Sequence, residues 1–468
     1  MSRINTNVPS LIAQRVLTSN NTSLNQSLQR LSTGLKINSG KDDPSGLIAS
    51  ENLRAEETGI KAGIANAERA SNIVGTAEGG LAEISSLLNE VQSLVTTAAN
   101  TGGLSSDEVD ANQQQVDSIL NTINRLAGST SFQGSKLLDG SLDYTTSSVS
   151  TSAISNLQIN GARLTDGTTK SIVVTQTGSA QTGTISFTAS ATTSANTIEV
   201  AGSKGSTQLS FAAGATDDQI AAAIAAVKDV TGVSASVTSG GGVTLSSTSY
   251  GSNAFVTLRS VSGTEFDSVA GTDYGQDATV TVNGASAQVD GLNVKVRSAD
   301  LDVEFDLAAD ANTGSATSTF GITGGGANFS IGAKVTENAK AAIGIKAVTT
   351  GALGNSSLGF LTSLASGAAN DLSSGNLTKS QAILDKAITQ VSQLRGRLGA
   401  FQKFTIGSTV NSLNIALENV QASDSAIRDT DFAEETSKLT RAQILSSAAS
   451  TVLAQANSAP QSALSLLR

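Results

Sequence analysis

Apolar residues recur at helical spacing near both ends of the chain and at strand spacing in its middle. Leu17, Leu24, Leu28, Leu31 and Leu35 follow one another at intervals of 7, 4, 3 and 4 residues, one stripe of a helix and the spacing of a coiled coil. Near the other end Val410, Leu413, Leu417 and Val420 answer at 3, 4 and 3, and Ile427 lies one heptad further on. A single run of this kind fits any amphipathic helix in a core, whereas matching runs at both ends favour long paired helices. The first helix breaks at Gly34, Gly40, Pro44 and Gly46, in a segment of turn chemistry. From Ser45 to about Asn100 the pattern predicts one long helix, roughly 80 Å at 1.5 Å per residue, which suits a rod. Gly102 and Gly103 end it. A returning helix from about Ser105 to Leu126 carries Val109, Val116, Ile119, Ile123 and Leu126 on one face.

The middle reads differently. TIEVAG (197–202), TQLSFA (207–212), VSASVT (233–238), VTLSST (243–248) and FVTLRSV (255–261) have strand length and alternation. One helix interrupts them, TDDQIAAAIAAVKDV (216–230), with Thr216 placed to cap it and Asp217 and Asp218 at its positive end. A second strand block follows in 278–284 and 292–307. Helical ends around a β-rich middle imply that the ends meet and that the middle is inserted between them.

Composition narrows the function. The 468 residues include no His and no Cys, which excludes disulfides, thiolate metal sites, the H-E-x-x-H zinc motif and every Ser-His-Asp triad. A net charge of −10 argues against a general nucleic-acid binder. No apolar run is long enough for a membrane span, and Met1 to Leu24 has neither the apolar stretch nor the small-residue site of a secretory signal. Gly34 to Asp42 resembles a phosphate loop only superficially, because five residues separate Gly34 from Gly40 and Asp42 stands where a hydroxyl is needed. The acidic group Asp424, Asp429, Asp431, Glu434 and Glu435 lacks the spacing of a calcium loop and reads as a helix start or an ion pair between subunits. We therefore expect no catalytic residue, no metal and no cofactor. Charge is sparse at the ends: residues 1–41 contain no acid, and none follows Glu435. Such helices gain burial from neighbours, so they are expected to be disordered in the monomer and to fold in an assembly.

Both ends resemble bacterial flagellin. The residues that carry this are INTNVPSLIAQRVL (4–17), LSTGLKINSGKDDPSGLIASENL (31–53), 69–100 and INRLAGSTSFQGSKLLDG (123–140), then LGAFQKFTIGSTVNSL (398–413) and 427–468. Residues 206–258 look like a flagellin insertion motif, which also occurs in hook-associated proteins and the filament cap. The resemblance implies an α+β multidomain fold: terminal helices paired as a coiled coil, a helical rod, and a β-rich outer insertion. The expected divisions are 1–43 (filament-core helix and linker), 44–140 (rod helices), 141–322 (variable insertion), 323–435 (C-terminal rod segment) and 436–468 (C-terminal filament-core helix).

The function so implied is that of a structural subunit of the extracellular flagellar filament, a homopolymer that acts as the motility propeller. The chain would be exported unfolded by the flagellar type III apparatus with an export chaperone, and would meet hook-associated proteins and the cap. The alternative within the family is a hook-associated junction or cap protein. Assembly is assigned to Leu24, Leu28, Leu31, Leu35, Leu413, Leu417, Val420, Leu445, Val452, Leu453 and Leu464. Flagellins sensed by the host Toll-like receptor carry an Arg just before the residue that is Val91 here; this chain has Glu90 there, keeps Leu94, and has Gln115 where a Glu of that pattern aligns. The resemblance thus implies a poor receptor agonist.

Overall fold

The computed structural model describes residues 6–100, 103–164, 168–187, 192–238, 241–298, 300–374 and 376–465, the last six of these by backbone only. Its helices are α1 (Val8–Thr33), α2 (Pro44–Ala98), α3 (Ser106–Ser129), α4 (Asp217–Ala226), α5 (Lys228–Thr231), α6 (Leu377–Ala400), α7 (Gly407–Arg428) and α8 (Phe432–Ser465). The chain divides into two compact units. One comprises Met1–Arg69, Ser330–Lys340 and Thr405–Arg468, the other Ala70–Phe329 and Ala341–Phe404.

In the first unit α1 and α8 run together. Both begin on side-chain caps: Asn7 Oδ1 accepts the Ser10 amide at 3.2 Å, and Asp431 Oδ1 accepts the amides of Ala433 and Glu434 at 2.8 and 3.1 Å. Gly34 ends α1 at φ +74, where a side chain would be strained. The start of α2 meets α7 through Ser50, whose hydroxyl donates to Asp424 at 2.5 Å, and Glu57, which accepts from Gln421 at 2.8 Å. That amide, together with Lys61, holds the Glu57 carboxyl below its usual pKa. The loop within Ser330–Lys340 lies hard against α2: a Cβ on Gly59 would stand 2.5 Å from the Ala333 carbonyl, so only glycine fits there.

In the second unit the remainder of α2 buries Ala70, Val74, Ala77, Leu81, Ile84, Leu88, Val91, Val95 and Ala98, an alternation of 4 and 3 residues throughout. That is a heptad seam. α3 buries Val116, Ile119, Leu120 and Ile123, and α6 buries Ile383, Leu384, Val391, Leu394 and Leu398. α3 starts on a reciprocal cap between Ser105 and Glu108. Arg395 donates through Nε and Nη2 to one carboxylate oxygen of Glu78, at 3.1 and 2.8 Å.

The β-rich part of this unit has two cores. In the larger, a five-stranded antiparallel sheet is ordered Ala285–Ser286, Thr279–Val282, Lys170–Gly178, Thr317–Gly325, Tyr144–Ser147. It shares its apolar face with a four-stranded sheet ordered Gln288–Asp290, Asn293–Arg297, Leu301–Leu307, Ile154–Ala162. Phe305, Phe320, Val303 and Ile172 fill the space between them. Asp143 and Lys346 sit in a largely buried corner of this region, where desolvation pushes the carboxyl up and the ammonium down.

In the smaller core, the sheet Gly271–Tyr274, Phe255–Ser262, Asn196–Gly202, Gly205–Phe211 and the sheet Thr184–Phe187, Val243–Ser247, Val233–Val237 enclose α4 through Ile220 and Ile224. Phe187 and Phe266 meet edge to face at 5.3 Å.

Within the second strand block, 292–307 forms two strands, with Val296 opposite Val303. The helix expected over 216–230 divides into α4 and the single turn α5, because the chain tightens at Val227. The terminal segments form helices over Val8–Thr33 and Phe432–Ser465. Thr216 does cap α4, in a reciprocal arrangement with Gln219. Thr216→Ala is expected to lower the stability of the smaller β core by about 1 kcal/mol, the usual worth of such a cap, in urea melts followed by circular dichroism; an unchanged midpoint would contradict it.

Candidate assembly surface

Leu17, Leu24 and Leu31 of the α1 stripe stand half-buried along the seam of the α1–α8 pair, alternating at heptad spacing with Ala13, Asn20 and Ser27. The most deeply buried positions are Ala13 and Ser27 on α1 and Glu435, Ala442 and Ala449 on α8. Leu24, Leu31 and Leu35 are half-buried and Leu28 is 47 % exposed. On α8, Leu453 is half-buried, while Leu445 and Val452 are exposed, Val452 by 58 %. On α7, Leu413, Leu417 and Val420 are half-buried. Leu464 lies outside the residues whose side chains are described.

Several apolar residues that the sequence reading did not single out are open as well: Leu11, Ile12 and Val16 on α1, Ile415 on α7, and Phe432 and Ile444 on α8. Leu11, Ile12 and Val16 lie at other angles around α1 than the leucine stripe, so the spacing of that stripe does not include them. Exposed apolar area of this extent marks an interaction surface.

The helices are tied together at their common end. Gly34 accepts the Thr430 amide at 2.9 Å, Lys36 donates to the Arg428 carbonyl at 2.7 Å, and Leu35 bridges Asp429. Arg30 Nη1 stands 3.7 Å from Glu435, which is 4 % exposed. The acidic group near the start of α8 is thus committed to structure. Asp424 accepts from Ser50, Asp429 from Ser425, and Asp431 caps the helix, while Glu434 and Glu435 pair with Lys438. The hydrogen bond to Glu434 raises the pKa of Lys438. Among the described residues no helix is long and apolar enough to cross a membrane.

The ends of the chain match the models of the bacterial flagellin N-terminal helical region (residues 4–143) and C-terminal helical region (residues 381–467). Flagellin C of Vibrio cholerae is 31% identical over 464 residues, covering 99% of each chain. Flagellin D of Vibrio anguillarum is 30% identical over 465 residues, again over 99% of each.

The chain belongs to the bacterial flagellins.

This flagellin is accordingly a structural subunit of the extracellular flagellar filament, which polymerises with copies of itself and has no enzymatic role. The filament reading stands above the hook-junction or cap alternative. Among solved structures, a flagellar hook associated protein-3 from Legionella pneumophila is 12% identical, covering 80% of this chain and 97% of that one at a TM-score of 0.30, too low to bear on the fold. On the second unit of this flagellin, Glu90 is exposed beside the buried Val91, Leu94 is half-buried one turn further along α2, and Gln115 is exposed on α3.

Proposed function

We propose that this flagellin polymerises through α1 and α8, with α7 contributing, by burying apolar rows that a single chain leaves in water. The observation that carries this is the exposure of Leu11, Ile12, Leu28, Ile444, Leu445 and Val452 on two helices that share one seam. Polymerisation supplies the core that the helices lack alone, so folding of the ends and association are linked. Amide exchange tests it. Residues 8–33 and 432–465 should exchange at least about a hundredfold more slowly in filaments than in monomer, with the β cores unchanged. Equal protection in both states would contradict the reading.

Export through the flagellar type III apparatus as an unfolded chain, with a chaperone at hand, suits a sequence without Cys whose terminal helices have little to bury against in isolation. Hook-associated proteins and the cap are the neighbours this implies at the two ends of the filament. Disabling that apparatus should leave the subunit inside the cell, and unchanged secretion would rule this route out.

The exposed Glu90 and Gln115 support a weak response from the host Toll-like receptor, since Glu90 places a negative charge where sensed relatives have a positive one. In reporter cells Glu90→Arg combined with Gln115→Glu is expected to raise potency by about tenfold or more, the scale of a charge reversal at a protein contact. Full potency of the unaltered chain would overturn this assignment.

A further inference from the structure

The α1–α8 seam has little in its shape to choose an alignment. On α1 Leu17, Leu24 and Leu31 alternate along it with Ala13, Asn20 and Ser27, and on α8 Leu439 and Leu453 alternate with Ala442 and Ala449, a pattern that repeats every heptad and packs about as well after a slip of one heptad. Polar contacts nonetheless join the helices at three levels. Near the start of α1, Asn7 Nδ2 donates to the Ala456 carbonyl at 2.8 Å and Ser10 Oγ to Asn457 Oδ1 at 2.6 Å. Further along, Asn20 Nδ2 donates to the Leu445 carbonyl at 3.2 Å, and Ser446 Oγ donates to Asn21 Oδ1 at 2.7 Å. In the last turn of α1, Arg30 meets Glu435. Positions on α8 fall as those on α1 rise, at one pace, so all three levels belong to a single antiparallel register.

The third level is the most selective. Glu435 is almost fully buried, and Arg30 Nε is buried without a hydrogen-bond partner. Lys438 also approaches Glu435, at 3.8 Å, but it rides on the same helix and carries no information about register. Within α1 the only bases are Arg15 and Arg30 and there is no acid; within α8 no acid follows Glu435. A slip by a turn or more therefore removes the only cation that α1 offers to Glu435, since Arg15 lies about four turns away. A buried carboxylate that loses its partner from the facing helix is costly, and setting register is the best-attested use of a buried polar pair. The two upper levels reinforce the choice, because a slip also breaks the contacts of Asn7, Asn20 and Asn21.

We propose that Arg30 and Glu435 lock the register of the terminal helix pair, with the Asn and Ser contacts extending the lock, so that every subunit presents its exposed apolar rows in one alignment. The proposal rests on the reading that α1 and α8 drive assembly. Its test is seeded polymerisation of the full chain, scored as pelleted polymer, for Arg30→Glu, Glu435→Arg, the two together, Arg30→Lys, and Leu453→Asp as a control on the underlying reading. Each single reversal should lower the yield by about tenfold or more, and the double reversal should recover at least about half of it. Arg30→Lys, which keeps the charge, should stay within about twofold of the parent. Recovery by the double variant separates a lock from simple damage to the fold. Normal polymerisation of both single reversals, with Leu453→Asp inactive, would overturn the lock alone. A double variant no better than the singles would overturn it too. Polymer from Leu453→Asp would bring down the lock and the reading beneath it.

Discussion

Leu31→Asp, and separately Leu453→Asp, should abolish filaments while leaving both β cores folded. Each leucine is half-buried in the single chain and lies on one of the two helices with open apolar rows. Its remaining surface is what a neighbouring subunit would cover. A carboxylate in that contact loses its water without gaining a partner, a change of about 4 kcal/mol or more. Each ~1.4 kcal/mol is a factor of ten in affinity, so the critical concentration for polymerisation should rise about a thousandfold, beyond the range in which filaments form. Pelleting and circular dichroism on the same samples check both halves of the statement. Normal filaments from either variant would remove that helix from the assembly surface.

Phe305→Ala should do the reverse. Phe305 is fully buried between the two sheets of the larger β core, alongside Val303 and Phe320. Removing a buried phenyl ring leaves a cavity and typically costs about 3–5 kcal/mol. The melting temperature of that core should drop sharply. Filaments should still form, because nothing in the sheets belongs to the α1–α8 pair. Loss of filaments together with an intact melting curve would mean that the insertion takes part in assembly directly.

The sequence made the long elements plain and hid the fine ones. The extent of α2 and the cap at Thr216 were readable because the breakers and capping residues stand at their ends. The heptad seam from Ala70 to Ala98 was readable in principle, but alanine fills several of its positions and gives a weak apolar signal. The strand Lys170–Gly178 was not recognised, because its inward face includes Gln176, a polar residue that is buried only because Asn312 takes its amide at 2.8 Å. Partners more than a hundred residues apart leave no local pattern. The same limit applies to the candidate surface. The leucine stripe was visible, whereas its buried neighbours in the seam, Ala13, Ser27 and Glu435, are small or charged and give little apolar signal. The scarcity of charge at both ends was visible too. That Arg30 and Glu435 use what charge there is on each other emerges only when α1 and α8 are laid together.

Seeded polymerisation watched by electron microscopy tests the central claim most directly, with the full chain beside a form trimmed of residues 1–41 and 436–468. The account predicts long filaments from the full chain and none from the trimmed one. Filaments from the trimmed form, or only short rings and caps from the full chain on good seeds, would contradict it.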